Sequence, residues 1–241
     1  MIKLETHLHC FGGSSCATSP DEILIEDYVK AGYGGIVITN HISSWGYEEF
    51  KGETHREKVR YYYSLIENLA EKLKTYNIKT FWGSEIRVPP LEGQTLGNEF
   101  MIYGISEKDM TDNKPFNTFT QEELFRFAEK RNLFMYKTHP FRDGCRCGNP
   151  EFMHGAESFN GHYHHFNHNE LAKEFCAKYN LIGMSGTDYH HEHQPITAGI
   201  YIPEDINTNE QLTEYIFKND FKTIEDAFIY EREVKKFKEG R

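Results

Sequence analysis

The sequence predicts an α/β barrel built as one domain over residues 1–241. Two observations lead there. Short apolar, β-branched or aromatic runs alternate with amphipathic segments along most of the chain, which implies right-handed crossovers and a mainly parallel sheet. Seven or eight such units in a chain of 241 residues favour a closed or nearly closed barrel over an open sheet. No linker, repeat or low-complexity stretch interrupts the pattern. In a barrel of this kind the functional groups gather where the strands end.

Residues 2–9 read as the first strand. Ser19-Pro20-Asp21-Glu22 then supplies a capping Ser, a Pro for the first helical position and acids for the first turn of a helix running to about Lys30. The β-branched run 35–39 is the second strand and leads into Asn40-His41. Residues 42–54, with Trp45, Gly46 and Tyr47, read as a long loop suited to a lid or pocket wall. Helical periodicity returns over 55–76, where Val59, Tyr62, Tyr63, Ile66, Leu69, Ala70 and Leu73 form a stripe.

The third strand, 79–85, ends in Glu85, and Pro89, Pro90, Gly93 and Gly97 make 88–97 a loop. Strand four covers 99–104 and a Thr-capped helix covers 120–131. Strand five, 133–138, stops at His139-Pro140. After a Gly- and Cys-containing loop, 155–159 reads as a weak strand, 167–179 as a helix and 181–187 as a strand running into Asp188-Tyr189-His190. The last strand is 198–202 and the last helix 209–218. The tail with Lys235, Lys236 and Lys238 reads as a solvated end.

Composition narrows the function classes. A formal net charge of −10 argues against non-specific nucleic-acid binding, which needs a basic face, but leaves room for a polyanionic substrate at a metal site. Aromatic residues at 15% supply enough bulk for a packed interior. Five irregularly spaced Cys form no disulfide framework. No apolar run approaches membrane length and no leader pattern opens the chain, so the expectation is a cytoplasmic protein without membrane contact.

The predicted strand ends carry the chemistry. His7 and His9 are two residues apart, and an extended backbone turns both imidazoles to one side. His41, Glu85, His139, Asp188 and His190 close later strands. Each alone reads as an ordinary polar residue, yet five strands deliver such groups to one rim. Mixed imidazole and carboxylate donors suit Zn²⁺, Mn²⁺ or Fe²⁺ rather than Ca²⁺. Seven groups exceed the needs of one tetrahedral ion, so two or three bridged divalent ions are expected.

Taken in order, His7-Leu-His9, Thr-Asn-His41, Gly-Ser-Glu85, His139-Pro140 and Gly-Thr-Asp188-Tyr-His190 resemble the motifs of the polymerase-and-histidinol-phosphatase (PHP) family. The resemblance implies a distorted (β/α)7 TIM-like barrel, a trinuclear metal site and hydrolysis of a phosphoester by metal-bound hydroxide. It implies that His7, His9, Glu85 and Asp188 hold one ion. Glu85 would bridge to a second ion also bound by His139, and His41 and His190 would bind the third. Two positions depart from the family pattern. Ser14-Ser15-Cys16 stands where an Asp or His is usual, and Glu99 falls near a usual His, which makes Cys16 and Glu99 further metal candidates. Asn40 replaces a usual Asp.

Glu85 and Asp188 are therefore the expected catalytic carboxylates. Arg142, just past His139-Pro140, and Arg87, just past Glu85, stand where a guanidinium forks onto phosphate. The substrate expected is a small phosphorylated metabolite such as histidinol phosphate or a nucleotide. The alternative is a catalytically weak or inactive metal-binding module with a structural or regulatory role. His162, His164, His165 and His168 read mostly as exposed loop residues that at most line the pocket, and His191 and His193 as rim residues. Cys145-x-Cys147 lacks a matching pair for structural zinc, and Cys10 and Cys176 read as core thiols. Oligomeric state is not legible in the sequence.

Overall fold

The structure is a computed structural model that describes residues 1–92 and 96–240. Gly93 of the expected 88–97 loop lies outside the described residues, as does the side chain of Trp45. In chain order the elements are β1 (Ile2–Leu8), α1 (Asp21–Ala31), β2 (Gly35–Ile38), β3 (His41–Ile42), α2 (Ser44–Glu49), α3 (His55–Lys74), β4 (Lys79–Arg87) and β5 (Glu99–Tyr103). Then come α4 (Glu107–Asp112), α5 (Gln121–Lys130), β6 (Met135–Lys137), β7 (Gly155–Asn160), α6 (Asn169–Tyr179) and β8 (Ile182–Gly186). The last are β9 (Ala198–Ile202), α7 (Asn209–Phe217), β10 (Thr223–Glu225) and α8 (Ala227–Glu239).

The strands run β10-β9-β1-β2-β4-β5-β6-β7-β8 across one sheet, with β3 beside β4. The sheet curls until β8 meets β1. Leu8 bridges Tyr189 in parallel, His9 N donates to Tyr189 O at 3.0 Å, and Thr6 Oγ1 donates to Ser185 O. Gly186 permits that approach, because a Cβ there would lie 2.6 Å from His7 Cβ. The result is the nearly closed barrel expected from the alternation of strands and helices.

Strand direction departs from the mainly parallel expectation in two places. β5 is antiparallel to both β4 and β6. A parallel return needs a long crossover, usually a helix, and among the described residues no helix stands between β4 and β5. β9 is likewise antiparallel to β1 and to β10. These strands raise the count above the seven implied by family resemblance.

Helix signals held where side chains cap them. Thr54 with Glu57 and Thr120 with Glu123 form reciprocal capping boxes on α3 and α5. The stripe read on α3 is buried at Val59, Tyr62, Tyr63, Ile66, Leu69 and Leu73. At α1 the cap is Pro20, not Ser19, whose hydroxyl lies 3.0 Å from Tyr189 Oη instead. The expected 42–54 loop contains β3 and the short α2, with Ser43 capping α2. The tail is not merely solvated: α8 buries Tyr230 and Val234 against Phe159 and Ala198, while Lys235, Lys236 and Lys238 stay exposed. Tyr230 and Val234 are four apart, one helical face in a segment whose charges hide the period.

One apolar cluster lies under α1, α3 and α5, with Leu24, Tyr28, Tyr62, Leu69 and Leu124. Another joins Leu4, Val37, Phe81, Met101, Tyr103 and Met184 to Leu212 and Ile216 of α7. The polar residues at the strand ends are buried between these clusters and the cavity. Among the described residues no helix is long and apolar enough to cross a membrane.

Candidate metal centre

Strand β1 ends with His7 and His9 fully buried and their rings turned together, so that the two Nε2 atoms are 3.0 Å apart. Glu85 comes from β4 and Asp188 follows β8. Glu85 Oε2 lies 3.3 Å from both Nε2 atoms, and Asp188 Oδ1 lies 3.3 Å from His7 Nε2 and 3.5 Å from His9 Nε2. Ligand bonds of about 2.0–2.2 Å around a tetrahedral ion place donor atoms roughly 3.3–3.5 Å apart. The four imidazole–carboxylate distances have that spacing, and the two imidazole nitrogens lie slightly closer.

The remaining strand-end residues extend the cluster. Glu85 Oε1 is 3.0 Å from His139 Nε2, which is 3.5 Å from Glu99 Oε2. His41 Nδ1 stands 3.1 Å from Glu85 Oε2 and 3.7 Å from Glu99 Oε1. The His41–Glu85 pair lacks hydrogen-bond geometry, and among the described residues neither buried atom has a hydrogen-bond partner. Two lone-pair donors held together in this way fit a shared cation. His190 packs its ring 4.2 Å from that of His9, and His9, His41 and His190 form a third donor group.

The opposite ring nitrogens are anchored, as metal-binding histidines require. His7 Nδ1 lies 2.7 Å from Glu157 Oε1, His9 Nδ1 lies 2.9 Å from Ser14 Oγ, and His190 Nδ1 donates to Asp188 O at 3.0 Å. His139 Nδ1 is 3.7 Å from Cys145 Sγ. His139 and Asp188 both hold left-handed backbone conformations, with φ of 32° and 54°. Non-glycine residues tolerate that region at a cost and concentrate there in functional sites.

Electrostatics divide the histidines. Burial, with the charge of His9, pushes His41 down to about 4, and burial with Arg142 pushes His139 down to about 4. His190 is held well below the ordinary imidazole range by burial and His9. These three present neutral imidazoles, the form that binds metal. Burial also opposes charge on His7, but Asp188, Glu157 and Glu85 raise it well above the usual value. Burial disfavours ionised Glu85 and Asp188 as well. His7 and His41 nevertheless hold Glu85 low, and His7 and Arg142 hold Asp188 low. The centre is a concentration of negative charge that a divalent cation would neutralise in place of protons.

The centre opens into a cavity of about 400 Å³ lined by Cys16, Arg87, Arg142, His162, His164 and His191 besides the strand-end groups. The structure therefore brings His7, His9, His41, Glu85, Glu99, His139, Asp188 and His190 together. Cys16 is an exposed residue on the cavity wall and belongs to no donor group among the described residues. Within the same divergent stretch it is Ser14 that engages the centre, bonding His9 Nδ1 and accepting from His41 N at 3.0 Å. Asn40 is turned to Cys10, accepting from its N at 2.9 Å.

Both arginines are tethered. Arg142 donates to Asn167 Oδ1 at 2.8 Å, Asn160 Oδ1 at 3.0 Å and Asp188 Oδ2. Arg87 donates to Glu99 Oε1 from Nε at 2.9 Å.

Several participants were not among the expected site residues. Glu157 sits mid-strand in β7, Asn160 ends it, and Lys137 is fully buried beside Glu99 with its ammonium donating to Thr138 O at 2.7 Å. Glu5, two residues before His7, accepts from His7 N at 2.8 Å and Thr187 N at 2.9 Å, which ties β1 to the end of β8. Its alternation with His7 and His9 was the one available clue. His162 corrects the exposed-loop reading: it is 4% exposed, because its ring is packed between the centre and the cavity wall. His165 is exposed, His168 pairs with Asp143 at 3.0 Å, and His193 pairs with Asp27.

No protein-family model and no curated protein matches this chain. Solved structures do. A two-domain protein from Bacteroides vulgatus, containing a predicted PHP-like metal-dependent phosphoesterase, superposes with a TM-score of 0.61 and 19% identity. The match covers 92% of this chain and 64% of that one, so this chain spans less than two thirds of that protein. PsfC from Pseudomonas syringae gives a TM-score of 0.68 at 15% identity over 98% of this chain and 95% of its own. Endonuclease Q, solved with a 27-mer duplex bearing an abasic lesion, gives 0.56 at 11% identity over 90% of this chain and 56% of its own. At these identities the likeness is one of fold, and the fold shared is the barrel found in PHP-like metal-dependent phosphoesterases.

Proposed function

We propose that this protein is a PHP-type metal-dependent phosphoesterase acting on a small phosphorylated metabolite, of the size of histidinol phosphate or a nucleotide. One observation carries the reading. His7 Nε2, His9 Nε2, Glu85 Oε2 and Asp188 Oδ1 converge at metal-ligand spacing on a buried point that opens to the cavity. The PHP-like fold neighbours support the same chemistry.

His7, His9, Glu85 and Asp188 would hold one divalent ion, and Glu85 would share a second with His139. His41 and His190 would complete a third site, with Glu99 close enough to join at His41 or His139. Zn²⁺, Mn²⁺ or Fe²⁺ suits this donor set. Such ions supply Lewis acidity toward phosphoryl oxygens and lower the pKa of a coordinated water. The chain contributes position and charge. Glu85 and Asp188 stay ionised and compensate the cations. Arg142, fixed by Asn160, Asn167 and Asp188, holds a permanent positive charge on the cavity wall for a phosphoryl group. Arg87, bound to Glu99, is placed to orient that carboxylate and to face the same group. A cavity of about 400 Å³ suits a small molecule, and the net charge of −10 disfavours a long polyanion such as DNA.

The test pairs metal analysis of purified protein with phosphate release from a panel of phosphomonoesters and phosphodiesters under Zn²⁺, Mn²⁺ and Fe²⁺. Turnover is expected with at least one ion, and Asp188→Asn should lower it by about 100-fold or more. Bound metal without turnover on any ester would favour the module without catalysis. Neither metal nor turnover would reject both readings.

A further inference from the structure

We propose that His162, His164 and His191 form an additional mononuclear transition-metal site at the cavity wall, beside the strand-end centre. The three side chains come from two loops, the one after β7 and the one after β8. Each offers one ring nitrogen within 4.8 Å of the other two. The rings of His164 and His191 have centroids 4.7 Å apart, and those of His162 and His164 are 5.2 Å apart.

Three contacts pre-orient them. His162 Nδ1 lies 3.0 Å from the carbonyl oxygen of Asp188. A carbonyl only accepts, so Nδ1 carries the proton and Nε2 keeps its lone pair. His191 Nδ1 is held by Thr18 Oγ1 at 3.0 Å, which again leaves Nε2 for the cluster. His164 stacks on Phe237 of α8 at 4.2 Å with the planes 17° apart, which fixes the plane of the ring. A ring nitrogen anchored to oxygen and its opposite presented to a common point is the arrangement of metal-binding histidines.

Packing alone is a poor explanation for the cluster. Apolar rings would fill the same wall without bringing nitrogens to a common point, and Thr18 Oγ1 would lose its contact with His191 Nδ1. The donor set selects the ion. Three imidazole donors without a carboxylate suit Zn²⁺, Co²⁺ or Ni²⁺ and give little to Mg²⁺ or Ca²⁺, which need oxygen ligands. Three protein ligands leave a coordination position open. The cavity these residues share with Arg142 and Asp188 makes an anionic oxygen of the substrate the natural fourth ligand.

His162 also belongs to a donor group with Asp188 and His190, whereas His164 and His191 occur in no other group among the described residues. The variant of choice is therefore His164→Gln with His191→Gln. Metal-free parent and variant are titrated with Co²⁺, with visible absorption and elemental analysis after gel filtration as readouts. The parent should bind one equivalent more than the variant, and the lost equivalent should carry its own d–d band. Should the double variant misfold by circular dichroism, each single substitution should weaken that equivalent by about tenfold or more. Equal stoichiometry and unchanged stepwise affinities in folded variants would overturn the proposal. The count of ions is read without any phosphoester, so failure here is distinguishable from failure of the catalytic reading.

Discussion

The two nitrogens of His7 have different tasks. Nε2 faces His9, Glu85 and Asp188, while Nδ1 lies 2.7 Å from Glu157 Oε1. Glu157 also accepts from His139 N at 2.7 Å through its other oxygen, so one carboxylate orients a ligand ring and the backbone of another ligand. Glu157→Gln keeps the shape and removes the charge. It should lower metal affinity by about 10- to 100-fold in a chelator competition while leaving the circular dichroism spectrum unchanged. An unchanged affinity would mean that packing alone orients His7. The His-x-His pair was legible because alternation along a strand is a local rule. Glu157 was not, because its meaning comes from a partner 150 residues earlier in the chain.

Among the elements, α3 is written plainly in its sequence. Thr54 Oγ1 accepts from Glu57 N at 3.3 Å, and Glu57 Oε2 accepts from Thr54 N at 2.9 Å. Thr54→Ala should cost about 1 kcal/mol in urea-induced unfolding, and Thr54→Ser should restore most of it. No difference between Ala and Thr would show that packing of the α3 stripe alone secures the helix start. β3, α2 and α8 were not legible in the same way. β3 is two residues long and exists because His41 and Ile42 pair with Glu85 and Ile86. α8 is a charged segment whose two buried residues acquire meaning only against Phe159 and Ala198. Such elements are decided by what they pack on, which a local pattern does not contain.

At the scale of the molecule, buried neutral histidines make stability depend on pH. His154 packs against Phe125, Phe134 and Phe217, with centroid distances of 4.9, 5.9 and 5.0 Å, and its Nδ1 accepts from Met135 N. Burial holds its pKa below the ordinary imidazole value of 6.5. The unfolded chain therefore binds the proton more readily. Its contribution to stability is complete above pH 6.5 and is lost as pH falls through the lower folded-state value. The urea midpoint of metal-free protein should accordingly drop on going from about pH 7 to pH 5. His154→Phe should reduce that slope, and an identical slope in the variant would remove His154 from the account. His41 and His139, pushed to about 4, act in the same direction, whereas His7, raised by its carboxylates, acts in the opposite one.

By itself the sequence determined the alternation of strands and helices, the barrel class and the residues placed at the strand ends, because these follow from periods of 2 and 3.6 and from local caps. Only the tertiary structure decided which ring nitrogen meets which carboxylate, that Ser14 rather than Cys16 braces His9, that Arg142 is tied to Asp188, and that His162 is buried beside His164 and His191. Those relations join residues far apart in the chain. They arise when the curled sheet brings β8 against β1, a closure set by packing over the whole molecule rather than by any one segment.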